Sequence, residues 1–225
     1  MSDLSFSGGI RLPEPSRGDR KTQVGSTQHF TGGIVFGEGH GVRHGVESHL
    51  EADCAMVLAY RPDTKEVIEQ VRFEWFDEFG EVHNHFIDFV VVRQDETVTG
   101  YAVRPVERAS RKYLIKLARI KAQAISQGVL DDFRLFTEDD ICPVERYNAG
   151  LFHSARRPDC FGDPVAQDVV RSMTGVVRMG DLVEKTRLDG MGFRALVRLI
   201  RSGHLKTLGY ERLSPDVMVF KAKEV

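Results

Sequence analysis

An aspartate lies within an apolar segment of the sequence, where a charged group is costly to bury. Residues 82–93 read VHNHFIDFVVVR, so Asp88 has apolar neighbours on both sides. A buried carboxylate destabilises a fold unless another group pairs with it. One interpretation is that Asp88 lies at a strand end and reaches solvent. The other is that Asp88 is held in place for chemistry, which makes it the first candidate site residue.

A second candidate carboxylate, Glu51, lies in an amphipathic segment that reads ESHLEADCAMVLAY over residues 47–60. By itself, such a glutamate is also typical of a solvated helix surface. Mg²⁺ prefers oxygen ligands and usually takes one or two protein carboxylates, with water and phosphate oxygens completing its shell. Bound in this way, the ion can promote phosphodiester cleavage. We therefore predict that Glu51 and Asp88 are metal ligands whose carboxylates lie about 4–8 Å apart in one cleft.

Four stretches of the chain, taken in order, resemble the TnsA endonuclease subunit of heteromeric transposases. They are VESHLEAD, HFIDFVVV, GYAVRP and FRLFTEDDI, and the resemblance covers about residues 20–145. It implies a restriction-endonuclease-like core of the PD-(D/E)xK type, followed by a C-terminal winged helix. It also implies Mg²⁺-dependent cleavage of one DNA strand at transposon-type ends, with a separate transposase subunit as partner.

The family motif places a Glu on a helix, an Asp on a strand, and then a Glu or Gln and a Lys, one residue apart, on the next strand. In this chain Glu51 and Asp88 match the first two positions, whereas Ala102 and Arg104 stand at the other two. Ala102 has no ligand atom, and the guanidinium of Arg104 is always protonated. We assign Arg104 to the catalytic site and expect it to pair with Asp88 or Glu51.

Other side chains can replace the missing groups. Glu47 lies one helical turn before Glu51 on the same face, and Lys112 or Lys116 can reach in from the next helix. Two functions therefore remain open. One is a metal-dependent DNA endonuclease with weakened or lost catalysis. The other is a non-catalytic DNA-binding or complex-scaffolding protein on a degenerate nuclease fold.

Helices and strands must position these residues. Apolar periodicity predicts helices over residues 47–60 and 106–127, and strands over 67–75, 82–93, 98–104 and 133–136. The predicted fold class is therefore α/β, with a mixed sheet flanked by helices. The buried stripe of the long helix is predicted to consist of Leu114, Leu117, Ala118 and Ile125.

The last fifty residues follow a different pattern. Two helical segments, GDLVEKT and MGFRALVRLIRSG, precede two strand-like segments, LKTLGYE and VMVFKAK, which is typical of a winged helix. The second helix has an apolar face that includes Leu196 and Val197, and its arginines recur at i, i+4 and i+7. This spacing predicts a DNA-recognition helix, although winged helices also bind proteins. The arginines are Arg194, Arg198 and Arg201.

The net charge of −2 conceals an uneven distribution. Residues 34–105 carry 6 basic and 14 acidic groups, whereas residues 176–225 carry 10 basic and 6 acidic groups. Basic residues also crowd the long helix, where duplex DNA is the expected ligand of Arg111, Lys112 and Lys116. The predicted organisation is a flexible arm over 1–33, a TnsA-like nuclease core over 34–165 and a winged-helix domain over 176–225.

Several classes of protein are not expected. The sequence contains no run of about 18 apolar residues, so a membrane span is not expected. The absence of a signal-peptide pattern and three widely spaced cysteines indicate a cytoplasmic protein with free thiols. The GEGHG stretch lacks the Lys and Ser or Thr of a phosphate-binding loop, so no nucleotide cofactor is expected. His83 and His85 share one strand face and are interpreted as a surface pair rather than a zinc site.

Overall fold

The computed structural model describes residues 11–22 and 30–222, and the chain divides into two compact units. The first unit ends at Ile141 and the second begins at Cys142. This boundary lies earlier than the predicted change near residues 165–176. The reason is that the segment after Cys142, interpreted from sequence as the end of the core and a linker, forms two helices that pack with the C-terminal elements.

The first unit contains a four-stranded mixed sheet flanked by helices, so the predicted α/β class is confirmed. The sheet order is β3-β4-β5-β6, in which β3, β4 and β5 are antiparallel and β6 runs parallel to β5. Helix α2 makes the crossover that this parallel pair requires. In chain order the elements are β1 (Gly32–Phe36), β2 (Val42–Val46), α1 (His49–Ala59), β3 (Thr64–Phe76), β4 (Val82–Arg93), β5 (Val98–Val103), α2 (Arg111–Ser126) and β6 (Asp132–Phe136).

Serine residues cap both long helices of this unit. The side chain of Ser48 accepts a hydrogen bond from the amide of Glu51, and Ser110 does the same for Tyr113. These caps fix where α1 and α2 begin, because the first amides of a helix have no partner within it. The predicted stripe of α2 is only partly correct: Leu117 is buried, but Leu114, Ala118 and Ile125 are exposed, and the other buried positions are Ile120 and Ala124.

The N-terminal segment corrects another expectation. Of the predicted flexible arm, residues 1–10 and 23–29 lie outside the described residues. Residues 11–22 make backbone hydrogen bonds to the first unit: Glu14 pairs with the hairpin of β1 and β2, and the amide of Asp19 donates to the carbonyl of Gln70 at 3.1 Å. The segment lacks apolar periodicity because main-chain atoms make these contacts.

The second unit places four helices with a three-stranded antiparallel sheet of order β7-β9-β8. Its core includes Leu182, Leu196 and Leu205, all fully buried. Leu196 and Val197 face this core, as predicted for the last helix, whereas strand β7 was not predicted. The elements are α3 (Pro143–Ser154), α4 (Gly162–Ser172), β7 (Val176–Arg178), α5 (Met179–Thr186), α6 (Asp189–Arg201), β8 (Leu205–Thr207) and β9 (Met218–Lys221).

The packing of α6 against the end of α5 depends on a glycine. A Cβ atom added at Gly192 would lie 2.1 Å from Oγ1 of Thr186, a buried residue. We predict that Gly192→Ala lowers the free energy of unfolding by about 1–3 kcal/mol, because the core cannot accommodate the added methyl group without moving. Urea unfolding of the full chain measures the effect.

The matched control lies on the same helix. A Cβ atom at Gly190 would meet nothing within 4 Å. We expect Gly190→Ala to leave stability unchanged or to raise it by up to about 1 kcal/mol, because alanine favours a helix more than glycine does. Equal unfolding midpoints for the two variants would contradict the packing argument.

Candidate functional site

Asp88 lies in the middle of the sheet and hydrogen-bonds with residues of both neighbouring strands. Its Oδ2 accepts a hydrogen bond from the amide of Val103 at 2.7 Å, and its Oδ1 accepts one from Nε2 of Gln70 at 3.2 Å. The strand backbone is irregular at Gln70, where φ is 51°. This left-handed conformation is uncommon for a residue other than glycine. Asp88 is therefore held within the interior of β4 by both neighbouring strands and is only partly exposed, so the interpretation that it lies at a strand end is wrong.

The environment of Asp88 favours its protonated form. Burial, and to a smaller extent the negative charge of Glu51, raise the pKa of Asp88 from 3.8 to about 7. Hydrogen bonds from Val103 and Gln70, together with the positive charge of Arg20, lower the pKa but do not cancel the effect of burial. A carboxyl group that titrates near neutral pH is typical of functional sites, although structural networks produce such shifts as well.

Glu51 lies in the first turn of α1, where the helix dipole favours negative charge. Its Oε2 accepts from the amide of Glu47 at 2.8 Å, and its Oε1 accepts from the hydroxyl of Ser48 at 3.3 Å. Burial raises the pKa of Glu51, and the charge of Glu47 adds to this effect. The structure therefore brings the two predicted metal ligands, Glu51 and Asp88, close enough for their charges to interact.

Arg104 does not join these carboxylates, so the prediction that it pairs with Asp88 or Glu51 is wrong. Its Nε donates to the carbonyl of Arg108 at 2.7 Å, and its guanidinium lies 4.2 Å from the ring centre of Tyr113. Strand β5 ends at Val103, before the predicted residue 104, so strand alternation no longer sets the direction of the Arg104 side chain. Ala102, fully buried at the position of the family's second acidic ligand, offers no oxygen.

The cation beside the carboxylates is instead Arg20, which the sequence reasoning missed. Its Nε donates to Oε1 of Gln70 at 2.9 Å, and its Nη2 lies 2.9 Å from Oε2 of Glu47. Its guanidinium also lies 5.6 Å from the ring centre of Phe86. The residue was overlooked because its segment is rich in glycine, serine and proline and was interpreted as a flexible arm.

The two lysines proposed as replacements do not reach the site. Lys112 is exposed, and Nζ of Lys116 lies 5.7 Å from the ring centre of Trp75. Among residues 11–22 and 30–222, no ion pair joins either lysine to Glu51 or Asp88. The proposed carboxylate replacement, Glu47, is close to Glu51 but is paired with Arg20.

Strand β3 carries another buried carboxylate. Glu69 is 1% exposed, and among the described residues neither of its oxygens has a hydrogen-bond donor, although Nε2 of His44 lies 3.4 Å from Oε2. The two ring nitrogens of His44 face the carbonyl oxygens of Val42 at 3.1 Å and Val67 at 2.9 Å. His44 is therefore held between two backbone carbonyls beside Glu69.

The two histidines of β4 occupy different environments rather than forming a pair. His85 is largely buried, and burial followed by the charge of Lys116 lowers its pKa to about 4. His83 hydrogen-bonds to Asp77 at 2.8 Å, and together with Glu81 these residues place three potential ligand atoms within 4.8 Å of one another. Oδ1 of Asp77 also accepts the amides of the hairpin turn, so hydrogen bonding accounts for this geometry without an ion.

The predicted recognition arginines are partly committed to internal contacts. Arg198 places Nε at 2.7 Å and Nη2 at 2.5 Å from Oδ1 of Asp163, and its Nη1 donates to the carbonyl of Ala155. Nη2 of Arg194 donates to the carbonyl of Ser154. Arg198 therefore ties α6 to the start of α4, which differs from the free helix face that the sequence predicted. Arg201 is exposed.

These two arginines also line a pocket of about 340 Å³ in the second unit. The pocket has three arginines and one carboxylate, and that carboxylate, Asp159, accepts the amides of Phe161 and Gly162. Arg198 is also paired with Asp163, so Arg157 and Arg194 supply most of the positive charge of the pocket. Its lining residues are Arg157, Pro158, Asp159, Cys160, Met191, Arg194 and Arg198.

Comparison of the chain with protein-family models gives no match, and comparison with curated proteins gives none either. Among the described residues, no helix combines the length and apolar character needed to cross a membrane.

The raised pKa of Asp88 predicts a pH-dependent contribution to stability. Asp88 ionises near pH 4 in the unfolded chain but near pH 7 in the folded protein, so the folded state binds more protons between these values. The free energy of unfolding that Asp88 contributes therefore falls as pH rises from about 4 to about 7, by a few kcal/mol in all.

Asp88→Asn removes this titration. We expect the stability of the variant relative to wild type to increase across the same pH window and then level off. Urea unfolding at a series of pH values measures this difference, in which the opposite effect of His85 cancels because both proteins contain it. Parallel stability curves for the two proteins would contradict the assignment.

Proposed function

We propose that this chain is a DNA-processing protein with a TnsA-like, restriction-endonuclease-like core whose metal-dependent strand cleavage is weakened. In this proposal it acts on duplex DNA at transposon-type ends, together with a separate transposase subunit. The observation that carries the proposal is the pairing of Glu51 and Asp88 in an electrostatically coupled site that lacks the family's other two groups.

The order of elements supports the nuclease-like core. Glu51 lies at the start of α1, Asp88 lies in β4, and the next strand, β5, is its antiparallel neighbour. This is the helix, strand and next-strand placement of the family motif. The parallel strand β6 then completes a mixed sheet of the kind that such a core requires.

The residues present fit a divalent cation in part. Glu51 and Asp88 supply two carboxylates, the number that Mg²⁺ usually takes from a protein. A bound ion would supply Lewis-acid chemistry to a phosphodiester. Against this, Ala102 offers no ligand, and within the described part of the chain Glu47, Glu51 and Asp88 do not bring three ligand atoms within 4.8 Å of one another. Weak binding and slow cleavage follow.

The second unit supports contact with DNA. Helices α5 and α6, with the three-stranded sheet, follow the order of a winged helix. Arginine guanidinium groups bind phosphate oxygens in bidentate geometry, and the arginine-lined pocket concentrates three of them. In the first unit, Arg111 and Lys112 are exposed at the start of α2 and add positive charge.

A second candidate function is a non-catalytic DNA-binding or scaffolding protein on the same fold. The observation that favours it is the position of Arg104, whose side chain is directed to Arg108 and Tyr113 rather than to the carboxylates. Within residues 11–22 and 30–222, neither Lys112 nor Lys116 forms an ion pair with Glu51 or Asp88. Arg20, the cation that lies there, cannot act as a base. Activity measurements separate the two functions.

Strand cleavage tests the first function. We expect the full chain to nick supercoiled plasmid slowly with Mg²⁺ or Mn²⁺, and Asp88→Ala to reduce nicking to background, because it removes a metal ligand. Gel electrophoresis of the plasmid measures the rate. Glu74→Gln, at an exposed carboxylate of the same sheet, is the control and keeps the wild-type rate. Nicking that persists in Asp88→Ala refutes this site, and no nicking in wild type favours the non-catalytic function.

The arginine pocket predicts how DNA affinity depends on salt. Replacing Arg157 and Arg194 together by alanine should weaken binding of duplex DNA and reduce the log–log salt slope by about one or two, because each lost phosphate contact changes the slope by about 0.9. Fluorescence anisotropy across a salt series measures both quantities. Arg171→Ala is the control, since Arg171 is exposed and paired with Asp168. An unchanged slope in the double variant would assign this unit to protein contacts instead.

A further inference from the structure

We propose that Arg20 is the resident counter-ion of the carboxylate site, and that a divalent cation binds there only in competition with it. The inference rests on the proposed function in one respect, the assignment of Glu51 and Asp88 as metal ligands. It adds a cation from the N-terminal segment to a site whose expected cation, Arg104, is directed elsewhere.

The segment before Arg20 is fixed closely against β3. A Cβ atom at Gly18 would lie 2.5 Å from the carbonyl oxygen of Glu69, so only glycine allows this approach. The amide of Asp19 donates to the carbonyl of Gln70, and its Oδ2 accepts from the amide of Arg72 at 2.8 Å. Residues 18–20 therefore run along the irregular part of β3, and this delivers Arg20 to the site.

Arg20 also determines how Gln70 is oriented. The Nε of Arg20 can only donate, so Gln70 must present Oε1 to it, and Nε2 of the same amide then faces Asp88. The hydrogen bonds therefore run in one direction: Arg20 donates to Gln70, and Gln70 donates to Asp88. In this orientation the side chain of Gln70 donates a hydrogen bond to Asp88, and its amide oxygen faces Arg20 instead.

Loss of Arg20 would change the site in three ways. It would remove a positive charge, release Oε2 of Glu47 from its ion pair, and allow the Gln70 amide to rotate and present its oxygen towards Asp88. Carboxylate and amide oxygens are both ligands for hard cations. Each change favours a divalent ion, so the Arg20-paired state of the site opposes occupation by an ion.

Isothermal titration of Mg²⁺ into the full chain tests the competition. We expect Arg20→Ala to bind Mg²⁺ at least about 10-fold more tightly than wild type, because a unit charge next to a divalent ion opposes its binding. Arg17→Ala is the matched control: Arg17 lies on the same segment but pairs with Glu14 and Glu66. It should bind Mg²⁺ as wild type does, and so should Arg104→Ala.

The outcomes separate this inference from the proposed function. Equal Mg²⁺ affinity in Arg20→Ala and wild type overturns the inference and leaves the metal site standing. If Arg20→Ala binds Mg²⁺ more tightly and adding Glu51→Gln or Asp88→Asn abolishes this gain, the inference and the proposed metal site are both supported. If the tighter binding survives these added substitutions, both are overturned.

If no variant binds Mg²⁺, the proposed metal ligands fail, and a double-mutant cycle between Arg20→Ala and Glu47→Gln decides the counter-ion role. Non-additive shifts of the unfolding midpoint support Arg20 as the counter-ion. Additive shifts overturn it.

Discussion

The first unit depends on how a carboxylate is accommodated inside a four-stranded sheet. Asp88 takes hydrogen bonds from both neighbouring strands, from the amide of Val103 and from the side chain of Gln70. Gln70 provides its donor from a left-handed backbone position, which costs free energy and persists only where the surroundings hold it. An apolar residue at position 88 would leave the Val103 amide without this acceptor. The carboxylate of Asp88 is thus part of the hydrogen bonding that joins the strands at this position.

The electrostatics of the site explain how several acidic groups can lie close together there. Burial raises the pKa values of Asp88 and Glu51, and the charge of a neighbouring glutamate adds to each, Glu51 for Asp88 and Glu47 for Glu51, which lowers the average negative charge that the fold must accommodate. Arg20 offsets part of the remainder through Glu47 and Gln70. The structure can therefore keep the site intact with no bound ion. The presence of Glu51 and Asp88 therefore does not by itself require catalysis.

Periodicity predicted most elements of both units, because burial against a core leaves a repeating apolar pattern in the sequence. It also singled out Asp88 as an acid in an apolar strand. It could not find Arg20, because residues 11–22 attach through backbone hydrogen bonds that leave no such pattern. The assignment of Arg104 came instead from the resemblance to the family motif, whose lysine position falls here just after β5 ends at Val103. The unit boundary was missed because α3, with one fully buried residue, Ala149, carries a weak apolar signal.

The arginines of the second unit show how internal contacts shape what a surface can recognise. Arg198 has donors committed to Asp163 and Ala155, and Arg194 has one committed to Ser154, so their guanidinium groups are held in fixed directions. Groups fixed in this way have already lost the side-chain freedom that binding would otherwise remove. They suit phosphate, which repeats along any duplex, better than base edges, which an adaptable side chain must reach. Under the proposed function, this unit would hold DNA without choosing a sequence, and selection of the cleavage site would come from the partner subunit.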